Sequence, residues 1–396
     1  MHLWLNLLEL ILIIFYTYVV IFMKKLLITY ASYGSGHKAV GMYIKDYFEA
    51  RGYKVMTIDL LNYAIPVIGS FTKVANEFLM TKIPSMWSLL YFAFDNRLTC
   101  PIYQKTSLKM FDNKKLRKEI VDFNPDLVIA THFYGSSLIA KYKKNNIINP
   151  KLITVVTDYK AHEIWLKEVK NTDAIIVSGV DEKRKLMKYG YTFKQIYTSG
   201  IPILPVYDLN IGREKLIKKF KINKNYPTVL FFCGGGNGAL NNLKYLKVIL
   251  KSENKFNLLV IAGKNKKAKE KSLDYVKKYN KKNAKVFGFV TNIAEFYMVS
   301  DLVITKPGGA QVTECLYFKK PMMLIKSNGG QEIENRLFLI KKGYAVASWS
   351  IYGFLKKFDR MISDNRFLSK ISLKISKINQ EKSMDKLFNT SEKLLK

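Results

Sequence analysis

Short runs of consecutive apolar residues alternate along most of the chain with longer stretches in which apolar positions recur every three to four residues. The short runs lack the in-out alternation of a half-exposed sheet and read as strands buried on both faces; the longer stretches read as amphipathic helices. Runs at 26–31, 54–59, 126–131, 152–157, 174–178 and 195–199 predict six strands in the first half, and runs at 228–233, 257–262, 285–289, 301–305 and 321–325 predict five in the second. Strands that alternate with helices make βαβ units, so the fold class is α/β with parallel sheets covered by helices. The alternation breaks at Ile201-Pro202-Ile203-Leu204-Pro205, where two prolines interrupt both periods. The simplest organisation is two Rossmann-like halves joined by this linker, with ligands bound between them at the carboxyl ends of the strands.

Three stretches depart from the pattern. Residues 3–22 are apolar except for Asn6, Glu9 and Thr17, and Lys24 and Lys25 follow at once. A helix of that length crosses a hydrocarbon core of roughly 30 Å, and the lysine pair would leave the body of the chain on the cytoplasmic side. The same segment also reads as an extension upstream of a natural start at Met23. Residues 65–94 mix Phe71, Phe78, Met86, Trp87, Tyr91 and Phe92 with Lys73 and Lys82, the composition of a helix lying in a membrane interface or of a buried helical pair. The lysine-rich stretch 369–396 reads as an amphipathic closing helix.

Composition sharpens this picture in two respects. Over 396 residues, 65 Lys and Arg against 31 Asp and Glu leave a net charge of +34, a field that attracts phosphates in a nucleotide, an anionic lipid or a nucleic acid. Cys100, Cys233 and Cys315 are too few and too scattered for a disulfide framework or a zinc signature, which favours a reducing compartment.

The loops at the predicted strand ends carry the candidate chemistry. The first strand empties into Ser32-Tyr33-Gly34-Ser35-Gly36-His37 and then a helix. Its glycines let backbone amides approach an anion, and His37 stands where a neutral imidazole can take a proton from a hydroxyl. Neither a Walker A loop nor a dinucleotide fingerprint is present. His132 and the run Thr157-Asp158-Tyr159-Lys160-Ala161-His162, with Trp165 beyond it, follow two further strands. In the second half a strand ends in Cys233-Gly234-Gly235-Gly236-Asn237-Gly238, and two later loops, Lys306-Pro307-Gly308-Gly309-Ala310-Gln311-Val312-Thr313-Glu314 and Gly329-Gly330-Gln331-Glu332-Ile333-Glu334-Asn335, also open helices. Glu314 is placed to hold a ribose diol, and Gln331 and Asn335, four apart on one helical face, to reach sugar hydroxyls; for each residue singly, capping a helix is an equal alternative.

These loops together resemble the monogalactosyldiacylglycerol synthase and processive diacylglycerol glucosyltransferase family of glycosyltransferase family 28, whose members also resemble MurG. The resemblance rests on Gly34-Ser35-Gly36-His37 with Ala39, Thr157-Asp158 with His162 and Trp165, the 234–238 loop, Lys306-Pro307-Gly308-Gly309 with Thr313-Glu314, and Gly330-Gln331-Glu332 with Asn335, and it spans about residues 24–380. It implies a GT-B fold, two Rossmann-like domains facing an inter-domain crevice. Residues 23–203 would be the lipid-acceptor domain and 204–380 the UDP-sugar domain, flanked by the hydrophobic segment 1–22 and a basic tail 381–396.

The implied reaction moves a hexose with inversion from a UDP-sugar to a membrane lipid, diacylglycerol above all, without a metal or other cofactor, at the cytoplasmic face of an anionic membrane. His37 would be the base, with Asp158 and His162 orienting or sharing its proton. Gly234, Gly235, Gly236, Asn237, Gly238, Lys306, Gly308, Gly309, Gln311 and Thr313 would hold the diphosphate. Glu314 would hold the ribose, and Gln331, Glu332 and Asn335 the sugar. Gly34, Gly36 and Trp165, with Phe71, Phe78, Trp87, Tyr91 and Phe92, would face the acceptor and the membrane. Gln311 stands where the family often has Thr, and the segment before Met23 lies outside the family pattern. A MurG-like N-acetylglucosaminyltransferase and a UDP-sugar 2-epimerase share the donor half; the epimerase has no use for an aromatic apolar insertion. A basic nucleic-acid binder would explain the charge but not three Gly-rich strand-to-helix loops, so nucleic acid is not the expected partner.

Overall fold

The structure, a computed structural model, describes residues 23–33, 35–64, 84–96, 99–203, 211–234, 238–327, 329–378, 380 and 382–396. The readings of residues 1–22 and of most of 65–94 therefore lie outside the described residues. Two wholly parallel sheets carry the fold. The first contains β1 (Lys25–Tyr30), β2 (Lys54–Asp59), β3 (Leu127–Ala130), β4 (Lys151–Val155), β5 (Ala174–Ile176) and β6 (Ile196–Tyr197), in the order β2-β1-β3-β4-β5-β6. The second contains β7 (Thr228–Phe232), β8 (Asn257–Ile261), β9 (Ala284–Phe287), β10 (Leu302–Thr305), β11 (Met322–Leu324) and β12 (Ala345–Ala347), in the order β12-β11-β10-β7-β8-β9.

The eleven strands expected from the apolar runs are all present. Their central members are buried on both faces, as in β3, where Leu127, Val128, Ile129 and Ala130 have no exposure. The added strand is β12, three residues that follow the left-handed Gly343 ending the helix Gly330–Lys342 and pair with β11.

Chain order and strand order disagree at one place in each sheet. From β1 the chain steps out to β2 and returns to β3 on the other side; from β7 it steps out to β8 and β9 and returns to β10. Loops leaving strands that flank such a reversal diverge and open a crevice. The four loops so placed contain His37, His132, the 234–238 glycines, and Lys306 to Gly309.

The halves are joined twice. Beside the outward crossing at Ile201-Pro202-Ile203, the chain returns at Gln380, whose Nε2 donates to the Ile201 carbonyl at 2.6 Å. The closing helix, Ser383–Leu395, then packs on the first half. Phe388 meets Phe48 at a ring distance of 5.2 Å, Tyr47 and Tyr53 donate to Asp385 and Glu392, and Lys24 pairs with Glu392 at 2.7 Å. Both of its acids thus bond to groups of the first half, while Lys386 and Lys393 stay exposed.

Candidate active site

His37 lies in the first turn of the helix Ser35–Glu49, which starts directly after β1. Its Nδ1 is 2.8 Å from the Thr131 carbonyl oxygen at the end of β3 and 2.8 Å from Thr157 Oγ1 beyond β4. A carbonyl oxygen only accepts, so Nδ1 carries the proton and the basic lone pair sits on Nε2. Burial pushes the imidazole below the usual histidine range; the Asp158 charge and the Thr131 carbonyl pull part of the way back. The ring is walled by His132, edge-on at 4.6 Å, and by Trp165 at 6.3 Å. His37 is therefore a neutral, oriented base at neutral pH. Trp165 is buried against it rather than turned to a surface.

The other histidines expected at strand ends have different employment. His132 Nδ1 accepts from Tyr134 N and caps the helix Phe133–Lys144. His162 Nδ1 accepts from Ile164 N, and its Nε2 lies 2.9 Å from the Tyr91 carbonyl, so both ring nitrogens are engaged. This corrects the expectation that His162 shares the catalytic proton: it caps a turn and ties the segment around Tyr91 to the loop after β4. Burial raises the Asp158 carboxyl, while His37 and an amide from Asn335 favour the ionised form.

On the other side of the crevice the helix Gly309–Tyr317 points its amino end at the loop after β4. A Cβ on Gly309 would collide with the Thr157 carbonyl oxygen, so the two halves touch at backbone level there. Gly308 is open, with nothing within 4 Å of where its Cβ would stand. Gly234 takes φ +92, and a Cβ on it would press on Asn242 Nδ2 and Lys306 Cδ, which brings the β7 loop beside Lys306. Gly235, Gly236 and Asn237 lie outside the described residues, as do Gly34, Phe71 and Phe78. Gly238 opens the helix Gly238–Ile249, and Gly36 lies in the His37 helix facing Ala310 across the crevice.

Several residues expected to hold a donor are engaged by protein. Glu314 receives one hydroxyl from Tyr297 at 2.8 Å and another, across the crevice, from Tyr43 at 2.7 Å. Burial raises its carboxyl and the two hydroxyls oppose this. Glu332 pairs with Lys306 at 3.0 Å and accepts from Ser327. Thr313 is fully buried, donates to the Gly309 carbonyl at 2.7 Å and meets the Tyr159 hydroxyl at 2.8 Å, which turns it away from a phosphate. Gln311 lies against the Tyr297 hydroxyl. Gln331 differs from these: its Oε1 is buried without a hydrogen-bond partner among the described residues, an acceptor suited to a sugar hydroxyl. Asn335, expected to reach the sugar, is fully buried between the halves with its amide committed to protein partners.

The helix Pro84–Ala93 is what the structure describes of the aromatic segment, without the Trp87 side chain. Met86, Leu89 and Phe92, three apart on one face, are 42%, 69% and 40% exposed. Tyr91 faces the other way. Its ring covers Gly330, where a Cβ would fall inside it, and lies 4.5 Å from His162. Its place is at the junction of the halves, not at a membrane.

Tyr43, Thr131, Thr157, Tyr159 and Tyr297 were not singled out as site residues. Thr131 and Thr157 carried a signal, standing at strand ends directly before His132 and Asp158, and Tyr159 directly follows Asp158.

Two parallel sheets of this order, meeting at a crevice, form a GT-B fold. MurG of Acinetobacter baumannii superposes on 93% of the chain and 99% of its own at a TM-score of 0.62 and 12% identity. The UDP-GlcNAc 2-epimerase of Neisseria meningitidis, solved with UDP-GlcNAc, covers 93% and 100% at 0.59 and 12%. Residues 37–203 match the monogalactosyldiacylglycerol (MGDG) synthase family and residues 228–349 the glycosyltransferase family 28 C-terminal domain. The chain is a family 28 glycosyltransferase whose first half is of the monogalactosyldiacylglycerol synthase type. A processive diacylglycerol beta-glucosyltransferase of Bacillus cereus is 29% identical over 370 residues, 92% of each chain.

Proposed function

We propose that this protein transfers a hexose from a UDP-sugar to diacylglycerol at a membrane surface, with inversion at the anomeric carbon. The observation that carries the proposal is the place of His37: Thr131 and Thr157 hold its Nδ1 and leave the basic lone pair on Nε2, and the adjacent Gly36 faces Ala310 of the Gly309–Tyr317 helix across the crevice. As the lipid hydroxyl attacks the anomeric carbon, its proton passes to His37 Nε2, and the negative charge of Asp158 steadies the imidazolium that forms. The bond to the UDP oxygen breaks in the same displacement, which inverts the carbon. The charge that collects on the diphosphate meets the amides at Gly308 and Gly309, the glycines after β7 and the Lys306 ammonium. Glu314 takes the ribose diol in exchange for the Tyr43 hydroxyl, and Gln331 Oε1 accepts from the sugar.

The acceptor is a lipid, so its hydroxyl must be reached at a surface. Among the described residues no helix is long and apolar enough to cross a membrane. The Met86, Leu89 and Phe92 face lies in the acceptor half, on the helix whose Tyr91 closes the crevice, and the charge of +34 favours an anionic surface. Burying such side chains contributes about 1.5–3 kcal/mol each. Leu89→Lys with Phe92→Lys is therefore expected to lower co-flotation with anionic vesicles at least tenfold, with UDP affinity retained. Equal flotation of variant and wild type would show that this face is not the contact.

A further inference from the structure

Asn335 lies in the donor half, on the helix Gly330–Lys342, yet two of its three hydrogen bonds reach the acceptor half. Its Nδ2 donates to Asp158 Oδ1 at 3.0 Å and to the Pro307 carbonyl at 3.0 Å, and its Oδ1 accepts from Tyr159 N at 2.8 Å. Both amide hydrogens are thereby used, and the side chain has no exposure. Around it the halves are closely fitted: Tyr159 stacks on Phe338 at 4.9 Å, its hydroxyl meets Thr313, and Gly309 rests on the Thr157 carbonyl. A side chain that only contacted the donor sugar would not need both of its ends bound to the loop that carries Asp158.

We propose that Asn335 is a positioning residue through which the donor half fixes the Asp158 carboxylate beside His37, so that the acceptor base is complete only when the two halves are closed. The proposal rests on the transferase reading and adds to it a coupling between donor-half docking and proton transfer. The donated N–H favours the ionised carboxylate against burial. The other ionisable groups that bear on Asp158 are His37, which favours its charge, Glu332, which opposes it, His162, which favours it weakly, and the Tyr91 hydroxyl. Loss of the amide leaves Asp158 easier to protonate. The acid limb of kcat, which requires ionised Asp158 and neutral His37, then moves to higher pH.

The test compares wild type, Asn335→Ala and the isosteric Asn335→Asp, which keeps an acceptor for Tyr159 N but places a second carboxylate against Asp158. Transfer from UDP-glucose and UDP-galactose to diacylglycerol vesicles is followed across pH, alongside the affinity for UDP and for each UDP-sugar by calorimetry without acceptor. The expected result is a fall in kcat of roughly 10- to 100-fold, the size of one hydrogen bond to a charged group. The acid limb should rise in both variants, further for Asp, with UDP affinity within about threefold. If either folded variant keeps the wild-type acid limb and instead loses UDP-sugar affinity, Asn335 is a donor ligand and the proposal is overturned. Absence of transfer by wild type contradicts the transferase reading itself, and this proposal with it.

Discussion

His37→Ala is expected to reduce hexosyl transfer by about 100- to 10,000-fold, the usual contribution of a positioned general base, while UDP affinity stays close to wild type. The two effects separate because His37 belongs to the acceptor half: its contacts are Thr131, Thr157, His132 and Trp165, none of them in the donor half. Calorimetric titration with UDP beside a transfer assay checks both. Loss of UDP binding together with transfer would show that His37 holds the donor instead. The pH dependence has a definite sign. Burial lowers the His37 pKa, so the neutral base persists below the ordinary histidine value near 6.5, and transfer falls only as pH drops through the depressed value or through the raised value of Asp158.

Gly309→Ala is the second change with a large expected effect. Its Cβ collides with the Thr157 carbonyl, and backbone cannot swing aside as the end of a long side chain can. Overpacking of this kind costs about 1–3 kcal/mol. The collision lies at the contact between the halves and away from the strands of either sheet, so the cost is expected to fall on closure rather than on folding. Transfer is expected to drop about 100-fold, at the upper end of that cost, and small-angle scattering should show a larger radius of gyration. Gly212→Ala, where a Cβ meets nothing within 4 Å, is the control expected to behave as wild type. A Gly309→Ala protein with unchanged radius and unchanged rate would show that this contact does not govern closure.

Most strands were legible as short apolar runs between helical stretches; β12, Ala345-Val346-Ala347, was not, since only small and β-branched residues mark it and a helix ends directly before it. Four of the loops singled out leave strands that flank a reversal, where a crevice opens; the loops after β4 and β11 do not. Individual roles were less readable. His132 and His162 stand at strand ends as His37 does, but a strand end in an α/β fold is also a helix start, and both serve as caps. Glycines pointed to a close approach without saying of what. At Gly309 and Gly330 the approaching groups are Thr157 and Tyr91 of the same chain. Asn335, Tyr43 and Tyr159 act across the crevice, and contacts between residues more than a hundred positions apart leave no period in a sequence.

The central claim is tested most directly by incubating the purified protein with anionic vesicles that contain diacylglycerol and with each UDP-hexose in turn, then analysing the lipids by mass spectrometry and the anomeric linkage by NMR. The account predicts diacylglycerol carrying one or more added hexoses, the first joined with inversion, and no such product from His37→Ala. Conversion of the UDP-sugar to an epimer or to free sugar, with the lipid unchanged, would contradict it.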